Sequence, residues 1–292
     1  MGALVYEDQK QLAVYYKKAF GAPESIIGLG RDAETLRRSV YSLENNWNAV
    51  EEGCIDLAGL PKVKAEFINW YLVMERRMNS DIRFFIEFLR RKASLEQIAY
   101  YICMEELVDG AFDDLMAMVQ LGMPLKPKMV AAENYWDEMG GGNAATVHTV
   151  MFKDSSIFMR DILRQANITA EQPTLECLMN GNVLLMWALR REYNVRLIGA
   201  IGIIEGSAPV RFRATTEALE RLQVPKKVIA YHQSHISIDT RHSNAWLEVV
   251  LDYYAGSGEE VVRELALGVS IRYNVALRYY HHMYQMMRSI SQ

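Results

Sequence analysis

An all-α protein is what this sequence predicts, and three observations predict it. Apolar residues recur at spacings of three and four almost from end to end. Strict period-two alternation bounded by turn residues occurs nowhere, which argues against strands. Half of the 292 residues are hydrophobic, and no Pro/Gly/Ser-rich linker, low-complexity tract or repeat divides them, so residues 1–292 are expected to form one domain.

In chain order, segment 32–60 carries Leu36, Val40, Leu43, Trp47 and Val50 on one helical face. Segment 62–77 does the same with Val63, Phe67, Trp70 and Val73, and 80–91 with Ile82, Phe85, Ile86 and Leu89. Segment 94–120 reads as one longer helix, stopped by Pro124 and Pro127. Helix 128–138 runs up to the glycine run Gly140-Gly141-Gly142, and 143–151 resumes the pattern. The apolar segment 174–193 has a local break at Met179-Asn180-Gly181. Segments 195–206, 215–222, 225–234 and 243–255 follow, and 259–289 closes the chain as one long helix. This makes about seven to nine principal helices. Bundles of this kind build metal and cofactor sites from side chains on facing helices.

Composition removes several classes. With 32 Lys+Arg against 36 Asp+Glu the net charge is −4, too small for a disordered chain of this hydrophobicity. A pI near 5.9 without any basic block argues against nucleic acid or an anionic membrane as partner. Cys54, Cys103 and Cys177 are too few for a disulfide framework and suit a reducing compartment. The longest apolar run, LIGAIGII before Glu205, is far shorter than the roughly 18–20 residues a membrane span requires. The N-terminal MGALVYEDQKQL lacks the basic and apolar regions of a secretory signal, so a cytoplasmic protein is expected.

Chemistry concentrates where histidines meet carboxylates. In YHQSHISIDTRHSNAW, His235, Asp239 and His242 stand at i, i+4 and i+7, within about 60° of helical arc. Two imidazoles and a carboxylate converging on one point suit iron, manganese or zinc; the alternative is a solvated polar stripe. His232 lies off that arc and is expected at the surface or behind the ligands. In AENYWDEMGGGNAATVH, Glu138 precedes His148 by ten residues across the glycine run. Glu138 is either a metal ligand or an exposed residue at a glycine-terminated helix end. Glu205 closes an eight-residue apolar run, where burial would demand a charged or metal partner; otherwise it reaches solvent before Gly206. Glu105, Glu106, Asp109, Asp113 and Asp114 punctuate an otherwise apolar helix, and at least one set of them faces solvent.

The order of these pieces resembles the heme-oxygenase-like diiron oxidases and oxygenases: a glutamate, Glu138-x9-His148 around the glycine run, Glu205, then His235-x3-Asp239-x2-His242. The resemblance covers residues 95–250, and the acidic FDDL segment supports it. It implies a seven-helix heme-oxygenase-like bundle with extra short helices, holding two iron ions. The implied ligands are Glu105 (with Glu106 as the alternative), Glu138 as the bridge, His148, Glu205, His235, Asp239 and His242. Heme ligation from the first helix is excluded, since no histidine precedes His148. Cys177, in an apolar helix, reads as an inert buried thiol rather than a nucleophile.

The implied function is an O2-dependent oxidoreductase that oxidises a small amino acid or amine-bearing substrate in a biosynthetic pathway. The outcome is N-oxygenation, or C–H abstraction leading to desaturation, cyclisation or C–C cleavage. A fatty-acid oxidative decarboxylase of the same family and a non-catalytic helical binding protein are the alternatives, and a manganese/iron pair is the alternative metal content. Arg241 and Lys153, beside ligand positions, are candidates to pair a substrate carboxylate, with surface charge as the other reading. Besides the small-molecule substrate, an external electron donor and a homodimer belong to these expectations. His281 and His282 are expected to serve packing or the surface.

Overall fold

The computed structural model describes residues 6–27, 33–170 and 172–290. Among them there is no strand. Helices α1 (Tyr6–Ala19), α2 (Pro23–Ile26), α3 (Ala33–Glu52), α4 (Lys64–Asp81) and α5 (Arg83–Arg91) come first. Next are α6 (Leu95–Met104), α7 (Glu106–Asp109), α8 (Phe112–Val119), α9 (Leu125–Glu138) and α10 (His148–Gln165). The set is completed by α11 (Leu175–Leu189), α12 (Asn194–Arg221), α13 (Lys226–Ala245), α14 (Asp252–Ala255) and α15 (Glu259–Ser289). No helix among the described residues is long and apolar enough to cross a membrane.

Local chemistry starts several of these helices. Ser94 and Gln97 form a reciprocal capping box at the head of α6. Thr174 accepts from the Cys177 amide at the head of α11. α12 is the central element, packed against α13 on one side and α15 on another. Its crossing with α15 depends on two glycines. A Cβ on Gly199 would stand 2.3 Å from the Leu265 carbonyl oxygen, and one on Gly268 would stand 2.0 Å from that of Arg196. The two backbones therefore touch, and this anchors the helix that carries Glu205.

The structure departs from the expected boundaries for identifiable reasons. Pro209 lies inside α12 rather than between two helices. A proline costs its helix one N–H and crowds the carbonyl four residues back; here burial of both flanking turns outweighs that cost. The expected helix 94–120 is broken into α6, α7 and α8, with Glu105 and Gly110 at the breaks. α10 continues well past 151, because Phe152, Ser155, Met159 and Leu163 keep burying one face. Segment 243–255 is not a separate helix: α13 passes directly into a π-helical stretch, Trp246–Leu251, and then α14. α1 was not among the expected elements, although it buries Gln9, Leu12 and Tyr16 at helical spacing. The expected helix start at residue 32 falls outside the described residues.

Candidate metal centre

Four helices deliver six acidic and imidazole side chains to the interior. Glu138 is the last residue of α9 and His148 the first of α10. Between them the chain reverses through Gly140, Gly141 and Gly142, with φ of 64°, 61° and 86°. Left-handed backbone of this kind is where glycine is required. A Cβ on Gly140 would also lie 2.5 Å from the Thr146 backbone. The glycine run thus folds His148 back onto Glu138, and His148 Nδ1–H donates to Glu138 Oε2 at 2.9 Å. Glu138 is 2% exposed, so it is not the solvent-facing helix end of the alternative reading.

His235, Asp239 and His242 project from one face of α13, all buried. Glu205 comes from α12 and is likewise buried. The six side chains form two groups, Glu138–His148–His235 and Glu205–Asp239–His242. In each group the candidate ligand atoms lie within 4.8 Å of one another. The groups adjoin: His235 of the first and Asp239 of the second stand one turn apart on α13, and the charge of Glu138 acts on both Glu205 and His242.

The imidazoles are prepared to ligate. His235 Nδ1–H donates to the Tyr231 carbonyl at 2.7 Å, which leaves Nε2 with its lone pair. His242 Nε2–H donates to Asp137 Oδ2 at 2.8 Å. Its Nδ1 is buried without a hydrogen-bond partner, 3.8 Å from Glu205 Oε2. An orphaned buried nitrogen facing a carboxylate is a ligand position waiting for a cation. Burial, reinforced by His148, holds His235 well below the usual imidazole range, and burial lowers His242 as well. Both are therefore neutral, as coordination demands. Burial pushes the Glu205 carboxyl up to about 8, against the opposing hydrogen bond from Asn134 Nδ2 at 2.8 Å. Glu138 and Glu205, two carboxylates that disfavour each other's charge in a dry interior, form a pair that a cation would stabilise.

Glu105, the expected first ligand, is in neither group. It is buried at the α6–α7 break, where Arg211 Nη1 donates to its Oε2 at 2.7 Å and the Tyr279 hydroxyl to its Oε1. The alternative, Glu106, is half exposed and paired with Arg160. The FDDL helix reaches the margin of the site instead, where Asp113 accepts from the Thr149 hydroxyl at 3.2 Å, next to His148. The Asp109 side chain lies outside the described ones. Arg241 and Lys153 are exposed, on the outer faces of their helices. Arg241 pairs with Asp137, behind His242, so neither charge faces the six grouped side chains from within the protein.

Sequence reasoning missed Asp137 and Asn134. Their only signal is position, one and four residues before Glu138 on the same helix. His232 is buried rather than exposed, beside Phe212 and Tyr231, and burial with Arg211 nearby brings it down to about 3. Cys177 is buried, its thiol pushed up to about 12, which leaves it inert as a nucleophile. His281 stacks on Phe84 at the surface, and His282 faces Glu176.

A family model described as "iron-containing redox enzyme" matches residues 99–276. Among solved structures, the chain is similar to a domain of unknown function with a heme oxygenase-like fold from Shewanella denitrificans. That similarity has a TM-score of 0.54 and 13% identity, over 75% of this chain and 91% of that one. It is also similar to a CADD-like protein of unknown function from Nostoc punctiforme, with a TM-score of 0.53 and 16% identity over 76% and 97% of the two chains. At such identities the likeness speaks for the fold, and the fold is the heme-oxygenase-like helical bundle expected. No curated protein matches the chain.

Proposed function

The chain belongs to the iron-containing redox enzyme family, and from that premise we propose that it is a non-heme diiron oxygenase or oxidase acting with O2 on a small amino acid or amine-bearing substrate. The observation that carries this reading is the pairing of two buried ligand groups around Glu138, which belongs to one and acts electrostatically on the other. Histidine and carboxylate ligands with room for exogenous oxygen ligands are the donor set of O2-activating non-heme iron. Iron held there by the six residues would activate O2, the oxidant, which no side chain of the protein can do alone.

What the protein contributes is geometry, proton control and exclusion of water. His148, His235 and His242 each donate one N–H to a fixed oxygen, so each presents a defined ring nitrogen to the centre. Asn134 orients Glu205. Phe212 and Tyr231 pack on the His235 ring, and Phe152 on Tyr231, which keeps that side dry. Metal loading requires Glu205 to release its proton, and Asp137 stands ready to balance charge developing on His242.

Anaerobic Fe(II) titration with metal analysis tests the premise, and two equivalents per chain are expected. Binding of manganese in one position would show as a mixed metal content. Mass spectrometry of O2-dependent products from panels of free amino acids, amines and fatty acids then tests the substrate class. A protein that is folded but takes up no iron, with all six residues intact, overturns the proposal.

A further inference from the structure

One helix, α9, carries its large apolar residues on the outside. It buries Pro127, Ala131, Asn134 and Glu138 along one face, and the two polar members of that face serve the candidate metal centre. On the opposite face stand Leu125, Met129 and Trp136, at 76%, 61% and 56% exposure. At about 100° per residue these three fall within roughly 40° of arc, across the helix from the buried four. A surface helix ordinarily turns polar residues to water, and exposed apolar residues scattered singly need no explanation. Three large ones on a single stripe, about 16 Å from end to end, form a patch of the kind that marks a protein interface. Aromatic residues and methionine are enriched at such interfaces.

Charge says what covers the stripe. Lys126 and Glu133 are exposed and stand seven residues apart, so they flank the stripe on the same side. Neither has an ion-pair partner among the described residues. Read in either direction, the helix offers a large apolar residue, then a charge, then Met129 near the middle, and the two charges are opposite in sign. A second α9 laid antiparallel, about a two-fold axis beside Met129 and Val130, is therefore complementary to the first. Leu125 then meets the partner's Trp136, and Lys126 meets the partner's Glu133, each contact occurring twice as two-fold symmetry requires. A parallel arrangement would instead set lysine on lysine and glutamate on glutamate, which is repulsive.

We propose that this face of α9 is a homodimer interface, on which two copies of the chain pack antiparallel, helix against helix. It gives the expected homodimer a defined place on the surface, and it holds whether or not iron binds. Trp136 also lies on the glycine run, since a Cβ on Gly142 would stand 2.8 Å from its ring. The interface thus backs onto the turn that folds His148 onto Glu138, while the grouped side chains lie on the far side of the helix.

Sedimentation equilibrium of the full chain between about 1 and 500 µM tests it. An interface of one helix from each protomer is at the small end of specific interfaces, so a dimer dissociating in the micromolar range is expected. Lys126→Glu and Glu133→Lys each set like charges opposite one another, and each should weaken the dimer at least about tenfold. Mixed in equal amounts, the two variants complement each other and should associate as the parent does. The chain carrying both substitutions should do the same. Met129→Glu, beside the axis, should leave a monomer. All three side chains are exposed, so the variants are expected to fold, which circular dichroism checks. The proposal is overturned by a parent that stays monomeric throughout, by a dimer that Met129→Glu or the single charge changes leave intact, or by charge variants whose mixture does not associate.

Discussion

Asp137 accepts the Nε2–H of His242 at 2.8 Å, and with that one bond it fixes which nitrogen of the imidazole remains for a metal. The carboxylate sits one residue before Glu138, so α9 ends by supplying a member of one group and a support to the other. Supports of this kind are worth about 10–100-fold in metal affinity. Asp137→Asn is therefore expected to weaken uptake of one of the two equivalents of Fe(II) by that factor and to leave the other nearly unchanged. Stepwise titration reads both. Uniform weakening of the two would assign Asp137 a general structural role instead.

Arg241 provides the control. It pairs with the same Asp137 but is more than half exposed, and surface pairs contribute only about 0–1 kcal/mol. Arg241→Ala should shift metal affinity by less than about fivefold and leave KM for any identified substrate unchanged. A large rise in KM would restore the substrate-pairing role that its position beside His242 suggests.

Glu105 is expected to act through stability rather than through the metal. Its pairing with Arg211 is buried on both sides. Removing one partner of such a pair costs about 3–5 kcal/mol, whereas replacing both with apolar residues of similar size is near neutral. Glu105→Gln should lower urea stability by that amount, and Glu105→Gln with Arg211→Met should recover most of it. Iron content should stay at two per chain in both. A fall to one in folded protein would return Glu105 to the ligand set.

Five of the six grouped residues were legible because they lie at intervals the helical repeat brings together, or across a glycine run that forces a reversal, and Glu205 because it is a lone carboxylate closing an apolar run. Asp137, Asn134 and the Arg211 that claims Glu105 were not, because each acts across a helix–helix contact that no local period encodes. Arg211 and Glu105 are 106 residues apart. The continuity of α12 through Pro209 was not legible for a related reason: the proline's cost is local, while the burial that offsets it comes from α13 and α15.

At the α12–α15 crossing two opposing effects can be weighed. Gly→Ala within a helix ordinarily adds about 1 kcal/mol of stability. At Gly199 and Gly268 the new Cβ would meet backbone oxygen at 2.3 and 2.0 Å, which no side-chain movement relieves. Overpacking of this kind costs about 1–3 kcal/mol or more, so the clash wins. Either alanine variant should lower Tm by several degrees, measured by calorimetry, and a rise would show that the helices part easily.

The raised carboxyl of Glu205 sets a pH dependence that can be signed in advance. Folding carries this group from the ordinary carboxyl range up to about 8, so the metal-free folded state holds a proton that the unfolded chain releases. That contribution is fully present at low pH and is lost as pH rises toward 8. His235 works the other way: neutral when folded, it withdraws stability only as pH falls below about 6.5. Above that value Glu205 acts alone. Metal-free protein should lose stability between about pH 6.5 and 8, read by denaturant melts at several pH values. Metal must displace the same proton, so affinity should rise over the same window, approaching tenfold per pH unit. Calorimetric titration with Zn(II) in buffers of differing ionisation enthalpy counts that proton, and Glu205→Gln should remove it from the count. Proton release that is unchanged in Glu205→Gln would place the raised carboxyl elsewhere.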